Sequence, residues 1–154
     1  MEIQTNAVIE IDRDRESLWK LATDVDVLAD IIVPVGLIPG VRKAYVVGGG
    51  DTRKGAIRRL VMTDGVPLDE EITDYEAPRK LAYKLTGFRG PLALITRQCR
   101  GQWVFSPLGV GTRVSWTFTA ELTSPLALGA ALPIIKVAMK RAMEASLLAL
   151  KARA

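Results

Sequence analysis

The stretch Gly55-Ala56-Ile57-Arg58-Arg59-Leu60-Val61-Met62-Thr63-Asp64-Gly65-Val66-Pro67-Leu68-Asp69-Glu70-Glu71-Ile72 contains two runs of alternating character joined at Asp64-Gly65. Period-2 alternation on both sides of an Asp-Gly pair is the pattern of a β-hairpin with one buried face. A three-residue loop, Thr63 to Gly65 with Gly65 left-handed in a bulge, places Arg58 opposite Glu70 and Leu60 opposite Leu68. A two-residue turn instead places Arg58 opposite Glu71, with Arg58 and Glu70 on different faces. The alignment of Leu60 with Leu68 favours the three-residue loop. Two opposite charges then share a face with Ala56, Leu60, Met62, Leu68 and Ile72.

Outward from the hairpin the same alternation continues. Residues 3–11 read as a strand, followed by 41–47, 55–63, 67–75, 80–86, 94–106 and 112–122. Gly48-Gly49-Gly50-Asp51, Ala77-Pro78, Gly87 to Pro91 and Pro107 to Gly111 punctuate the series. Connections this short force antiparallel neighbours. After the first strand, Asp12 or Asp14 caps one short helix, and Asp24 or Asp26 starts a second that Pro34 stops. Residues 125–152 read as a long helix, irregular near Gly129 and Pro133. Ile135, Met139, Met143, Ser146 and Leu150 lie on its apolar face, while Lys136, Lys140, Glu144 and Lys151 lie opposite.

This order predicts an α+β fold in which seven antiparallel strands curl around the last helix, the only element large enough to cover the sheet. A hollow between them would be lined by the inward residues of each strand. Residues 112–122 contribute Val114, Trp116, Phe118, Ala120 and Leu122. Residues 94–106 contribute Ile95, Arg97, Cys99, Gly101, Trp103 and Phe105, and residues 80–86 contribute Leu81, Tyr83 and Leu85. Arg58, Glu70 and Arg97 are therefore three chargeable groups on an apolar face. Because unpaired charges in a dry core cost several kcal/mol each, these groups must be paired, sit at a rim or face a wet cavity. One reading is a structural Arg–Glu pair at the rim. The other is a polar anchor for the head of an apolar ligand. The aromatics Tyr83, Trp103 and Trp116 are equally compatible with core filling.

Composition narrows the chemistry. The chain has 154 residues, 49% of them hydrophobic, which predicts a single domain over 1–154 with a full core. It has no histidine and one cysteine, Cys99, which excludes Ser-His-Asp and Cys-His catalysis, His metal sites and an internal disulfide. We therefore expect neither cofactor nor metal. The net charge of +4 comes from interleaved basic and acidic residues, and no basic block points to nucleic acid. The Gly48–Gly50 run precedes a strand, not a helix, and reads as a turn, not a phosphate loop. The N-terminus carries no secretion-signal pattern, and the longest apolar segment, residues 124–136, is too short to span a bilayer. These readings predict a cytoplasmic protein.

Several stretches, taken in order, resemble the START-like or SRPBCC superfamily, the helix-grip fold of Bet v 1-type proteins. They are Ile9-Glu10-Ile11 leading to Glu16-Ser17-Leu18-Trp19, Ala22-Thr23-Asp24-Val25, Gly55 to Leu60, Leu68 to Tyr75, Trp103-Val104-Phe105, Gly111 to Trp116, and Leu150-Lys151. The nearest subgroup by resemblance is the bacterial polyketide cyclase/dehydrase and lipid-transport type. This resemblance implies a seven-stranded sheet gripping the last helix around a hydrophobic cavity, with Arg58 and Glu70 as ligand anchors. It also implies that the loops at Gly36 to Pro39 and Gly87 to Pro91 lie where some relatives gate the cavity.

Three functions are compatible with these features. The first is a carrier of a lipid, quinone or polyketide-like ligand, lined by Arg58, Glu70, Tyr83, Arg97, Trp103, Phe105, Trp116 and Phe118, with Ile135, Met139 and Met143 from the helix. The second is an aromatase/cyclase or dehydratase, with Arg58, Glu70 and Tyr83 as catalytic candidates. The third is a ligand-free module contacting a protein or a membrane surface through Leu126 to Ile135, Leu147 and Leu148.

Overall fold

The computed structural model describes residues 1–154, except for the side chain of Pro91. Strand β1 (Glu2–Ile11) is followed by α1 (Arg15–Thr23), a 3-10 turn (Val25–Val27) and α2 (Leu28–Ile31). Asp14 caps α1, accepting from the Ser17 N–H at 2.9 Å, and Asp24 caps the 3-10 turn through the Asp26 N–H. Strands β2 (Val41–Val46), β3 (Ile57–Met62), β4 (Pro67–Glu76) and β5 (Lys80–Thr86) follow as a meander. Next come a short helix α3 (Pro91–Ile95), then β6 (Thr96–Leu108) and β7 (Gly111–Leu122). All seven strands form one antiparallel sheet in the order β1-β7-β6-β5-β4-β3-β2.

The hairpin adopts the three-residue loop. Arg58 faces Glu70 and Leu60 faces Leu68. The Met62 N–H donates to the Val66 carbonyl at 3.1 Å, and Gly65 sits at φ +87°, a conformation that favours glycine. Asp64 Oδ1 accepts from the Val66 N–H at 3.0 Å, so the aspartate at the centre of the loop helps to close it.

The chain ends in a continuous helical run: a 3-10 turn (Pro125–Ala127), α4 (Leu128–Pro133), a π-helical stretch (Ile134–Met139) and α5 (Lys140–Arg153). Pro133 has no N–H to offer the carbonyl one turn back, and directly after it the helix widens to π geometry. This irregular half covers the hollow of the sheet, while α5 packs on β1 and buries Met143, Ser146, Leu147 and Leu150. Leu147 is therefore a core residue, not part of the exposed face, because i, i+3, i+4 and i+7 spacing carries it inward beside Met143. Leu126 and Leu148 are exposed.

Outside the sheet, alternating charges pair across strands: Arg59–Asp69 at 2.9 Å, Lys84–Glu71 at 3.3 Å and Arg113–Glu10 at 3.1 Å. No helix among the described residues is long and apolar enough to cross a membrane.

Two expectations fail near residue 95. Residues 94 and 95 belong to α3 and not to a strand, and β6 starts at Thr96. The pairing of β6 with β7 then slips between Thr96 and Gln98, so two residues of β6 oppose one of β7. Alternation counted back from Trp103 puts Arg97 inside, but the bulge reverses it. Thr96 is buried, while the Arg97 side chain is 65% exposed and meets Glu121 at 3.4 Å.

Candidate functional site: an apolar cavity with one buried ion pair

The concave face of the sheet and the irregular half of the last helix enclose a cavity of about 680 Å³. Aromatic rings form much of its sheet wall: Tyr83, Trp103, Phe105, Trp116 and Phe118. Trp103 and Trp116 face each other across β6 and β7 with ring centroids 4.6 Å apart. From the helix, Ile134, Ile135, Ala138, Met139, Ala142 and Ser146 complete the enclosure. Leu37, Ile38, Phe88 and Arg89 border it from the two loops where gating was expected.

One ion pair lies in this apolar wall. Arg58 and Glu70 are 3% and 5% exposed, so the pair is interior and not at a rim. Arg58 Nε donates to Glu70 Oε1 at 2.5 Å, and Nη2 reaches the same oxygen. The third guanidinium nitrogen, Nη1, is buried without a partner. A buried donor in that state carries an uncompensated desolvation cost of about 1–3 kcal/mol. Glu70 is the sole buried carboxylate among the described residues. The other charged residues bordering the cavity, Asp64 and Arg89, are exposed.

Tyr83 stands beside the pair. It neighbours Ile72 on β4 and Gly101 on β6. A Cβ on Gly101 would lie 2.0 Å from Tyr83 Cζ, so the ring rests directly on the glycine backbone. From there the hydroxyl accepts from Trp116 Nε1 at 3.0 Å. Burial and the nearby Glu70 carboxylate push the phenol well above its ordinary value, so it remains a neutral O–H at any ordinary pH. Burial likewise pushes the Cys99 thiol up to about 12. Cys99 borders the cavity as a small apolar group and not as a thiolate.

Of the residues expected to line the site, Arg58, Glu70, Tyr83, Trp103, Phe105, Trp116, Phe118, Ile135 and Met139 border the cavity. Arg97 does not, for the reason given by the bulge. Met143 does not border the cavity either: it is fully buried in the core between α5 and the sheet, while Ala142 and Ser146 on either side of it along the helix reach the hollow. Two buried polar residues went unanticipated. Thr96, turned inward by the bulge, borders the cavity with a buried, unpartnered Oγ1. Ser146 borders it from α5, and its place on the helix's apolar face was the signal for it. No signal in the sequence marked the bulge. No group of three or more His, Cys, Asp or Glu residues among those described is placed to hold a metal ion.

A curved sheet gripping a terminal helix around an apolar hollow defines the helix-grip class of domain. Comparison with known families agrees: the chain belongs to the family described as polyketide cyclase / dehydrase and lipid transport, matched over residues 2–154. Among solved structures it is similar to the protein TTHA0849 from Thermus thermophilus, at 25% identity and TM-score 0.69, covering 98% of this chain and 96% of that one. It is also similar to a protein from Nitrosospira multiformis, at 18% identity and TM-score 0.73, covering 98% and 95%. A norcoclaurine synthase point mutant from Thalictrum, in complex with a transition-state analogue, shares the fold at 15% identity and TM-score 0.70, covering 100% and 98%. No match is found among curated protein sequences.

Proposed function

We propose that this protein binds and carries a hydrophobic or amphiphilic small molecule between the sheet and its C-terminal helix. The observation that carries this reading is the cavity itself: about 680 Å³, walled by aromatic and aliphatic side chains, with a single buried ion pair. That volume lies in the range of small-molecule sites, roughly 300–1,000 Å³. Burying about 200–300 Å² of ligand apolar surface at ~25 cal/mol per Å² contributes on the order of 5–8 kcal/mol before association costs. Micromolar affinity is then within reach once a polar head is satisfied.

The test is native mass spectrometry of the purified protein, followed by solvent extraction and identification of any retained compound. A retained amphiphile, absent from an Ala142→Phe variant with its cavity occupied, is the expected result. A folded protein that arrives empty and takes up no apolar probe overturns the reading.

A second reading is favoured by one observation: the sole buried carboxylate, Glu70, stands with Arg58 and Tyr83 in the same wall. An aromatase/cyclase or dehydratase would use the arginine to hold an enolate oxygen and the carboxylate to move the proton. Tyr83 and Cys99 both stay protonated, so neither serves as a base or a nucleophile, and Glu70 Oε1 is engaged by Arg58. Turnover of poly-β-ketone thioesters, abolished by Glu70→Gln and by Arg58→Ala, would reinstate the enzyme.

A further inference from the structure

We propose that the cavity selects ligands whose polar head is an uncharged hydrogen-bond acceptor, an aromatic ketone or quinone carbonyl, and rejects carboxylates. This rests on the carrier reading above and adds to it the charge of the head group. Three observations support the selection. The Arg58 cation is already neutralised by Glu70 within the wall, so the buried polar end has no net charge to offer an anion. What remains unfilled there is donor capacity: Arg58 Nη1 has no partner, and the Tyr83 hydroxyl accepts from Trp116, leaving its own hydrogen uncommitted. The walls around that end are aromatic, with Tyr83 and Phe118 in one register row on either side of Gly101, and Trp103 and Trp116 in the next.

A carbonyl oxygen matches this arrangement. It brings an acceptor to an unfilled donor, adds no charge, and satisfies a group that otherwise stays buried and unpaired. A carboxylate would place a second negative charge beside Glu70 with one guanidinium between them, in a low-dielectric wall where like charges repel strongly. A cationic head meets the same difficulty with Arg58. The remaining charged residues at the cavity, Asp64 and Arg89, are exposed and of opposite sign, so solvent screens them.

The test uses a matched pair of probes: 1-(6-dimethylaminonaphthalen-2-yl)propan-1-one, a neutral ketone, and 6-dimethylaminonaphthalene-2-carboxylate. Binding is measured by fluorescence and calorimetry at about pH 8, where a free carboxylate is ionised. The native chain should bind the ketone at least about thirty-fold more tightly than the carboxylate. Glu70→Gln, which keeps shape but removes the neutralising charge, should bring the two affinities within about threefold or reverse their order. Tyr83→Phe, which deletes only a hydroxyl, should weaken the ketone by about tenfold and serves as the second variant if Glu70→Gln does not fold. Equal or tighter binding of the carboxylate by the native chain overturns the selection but leaves the carrier reading intact. An unchanged ketone preference in folded Glu70→Gln overturns it too. Failure of both probes to bind a folded native chain overturns both.

Discussion

Gly101 shows how one missing side chain arranges a site. The Tyr83 ring occupies the place where a Cβ would stand, and only there does its hydroxyl meet Trp116. Gly101→Ala must push the ring toward the cavity and break that bond. The expected cost is about 1–3 kcal/mol in urea unfolding, with altered tryptophan fluorescence. Cys99 supplies a pH-dependent prediction. Its thiol rises from 9.0 to about 12 in the folded chain, so the folded state holds the proton more tightly than the unfolded one. That contribution is intact below pH 9.0 and is lost as pH climbs toward about 12. Cys99→Ala should therefore flatten the alkaline fall in stability, measured by denaturant unfolding across that window. Native Cys99 should also react with iodoacetamide far more slowly than a free thiol.

The decisive events within single elements are a loop and a bulge. The loop at Thr63–Gly65 sets the register that joins Arg58 to Glu70, and its chemistry is local: an aspartate that accepts from the chain two residues on, and a glycine at positive φ. Gly65→Ala should cost about 1 kcal/mol by forcing a side chain into that conformation, read as a lower unfolding midpoint. The bulge in β6 has the opposite character. Residues 94–106 alternate smoothly, yet the strand shifts by one at Arg97 because its neighbour β7 and helix α3 constrain where it begins. Arg97 thereby leaves the wall for a solvent-exposed pairing. Arg97→Ala should change stability by less than about 0.5 kcal/mol and leave uptake of the naphthyl ketone unaltered.

Over the whole molecule, the fold keeps a hollow where most domains of this size are filled. The C-terminal run divides its labour: α5 packs tightly on β1, while the proline-widened half stands over the sheet and leaves space. If that space is the binding site, occupying it from within should abolish uptake without harming the fold. Ala142→Phe should weaken the naphthyl ketone by more than tenfold (~1.4 kcal/mol) while thermal stability holds or rises, as cavity-filling substitutions commonly do.

The sequence by itself determined the alternation of the strands outside the β6 bulge, the hairpin register and the apolar face of the last helix, and narrowed each helix cap to two aspartates, because each is set by interactions among residues a few positions apart. From those, the inward aromatics and the Arg58–Glu70 pairing were legible in advance. Tertiary structure alone decided that the pair is interior and leaves Nη1 unfilled, that Arg97 turns out while Thr96 turns in, and that Met139 borders the hollow while Met143 fills the core. These outcomes depend on how far the sheet curls and how closely the helix approaches it. Both are set by the sum of long-range contacts, for which no short stretch of residues carries a signal.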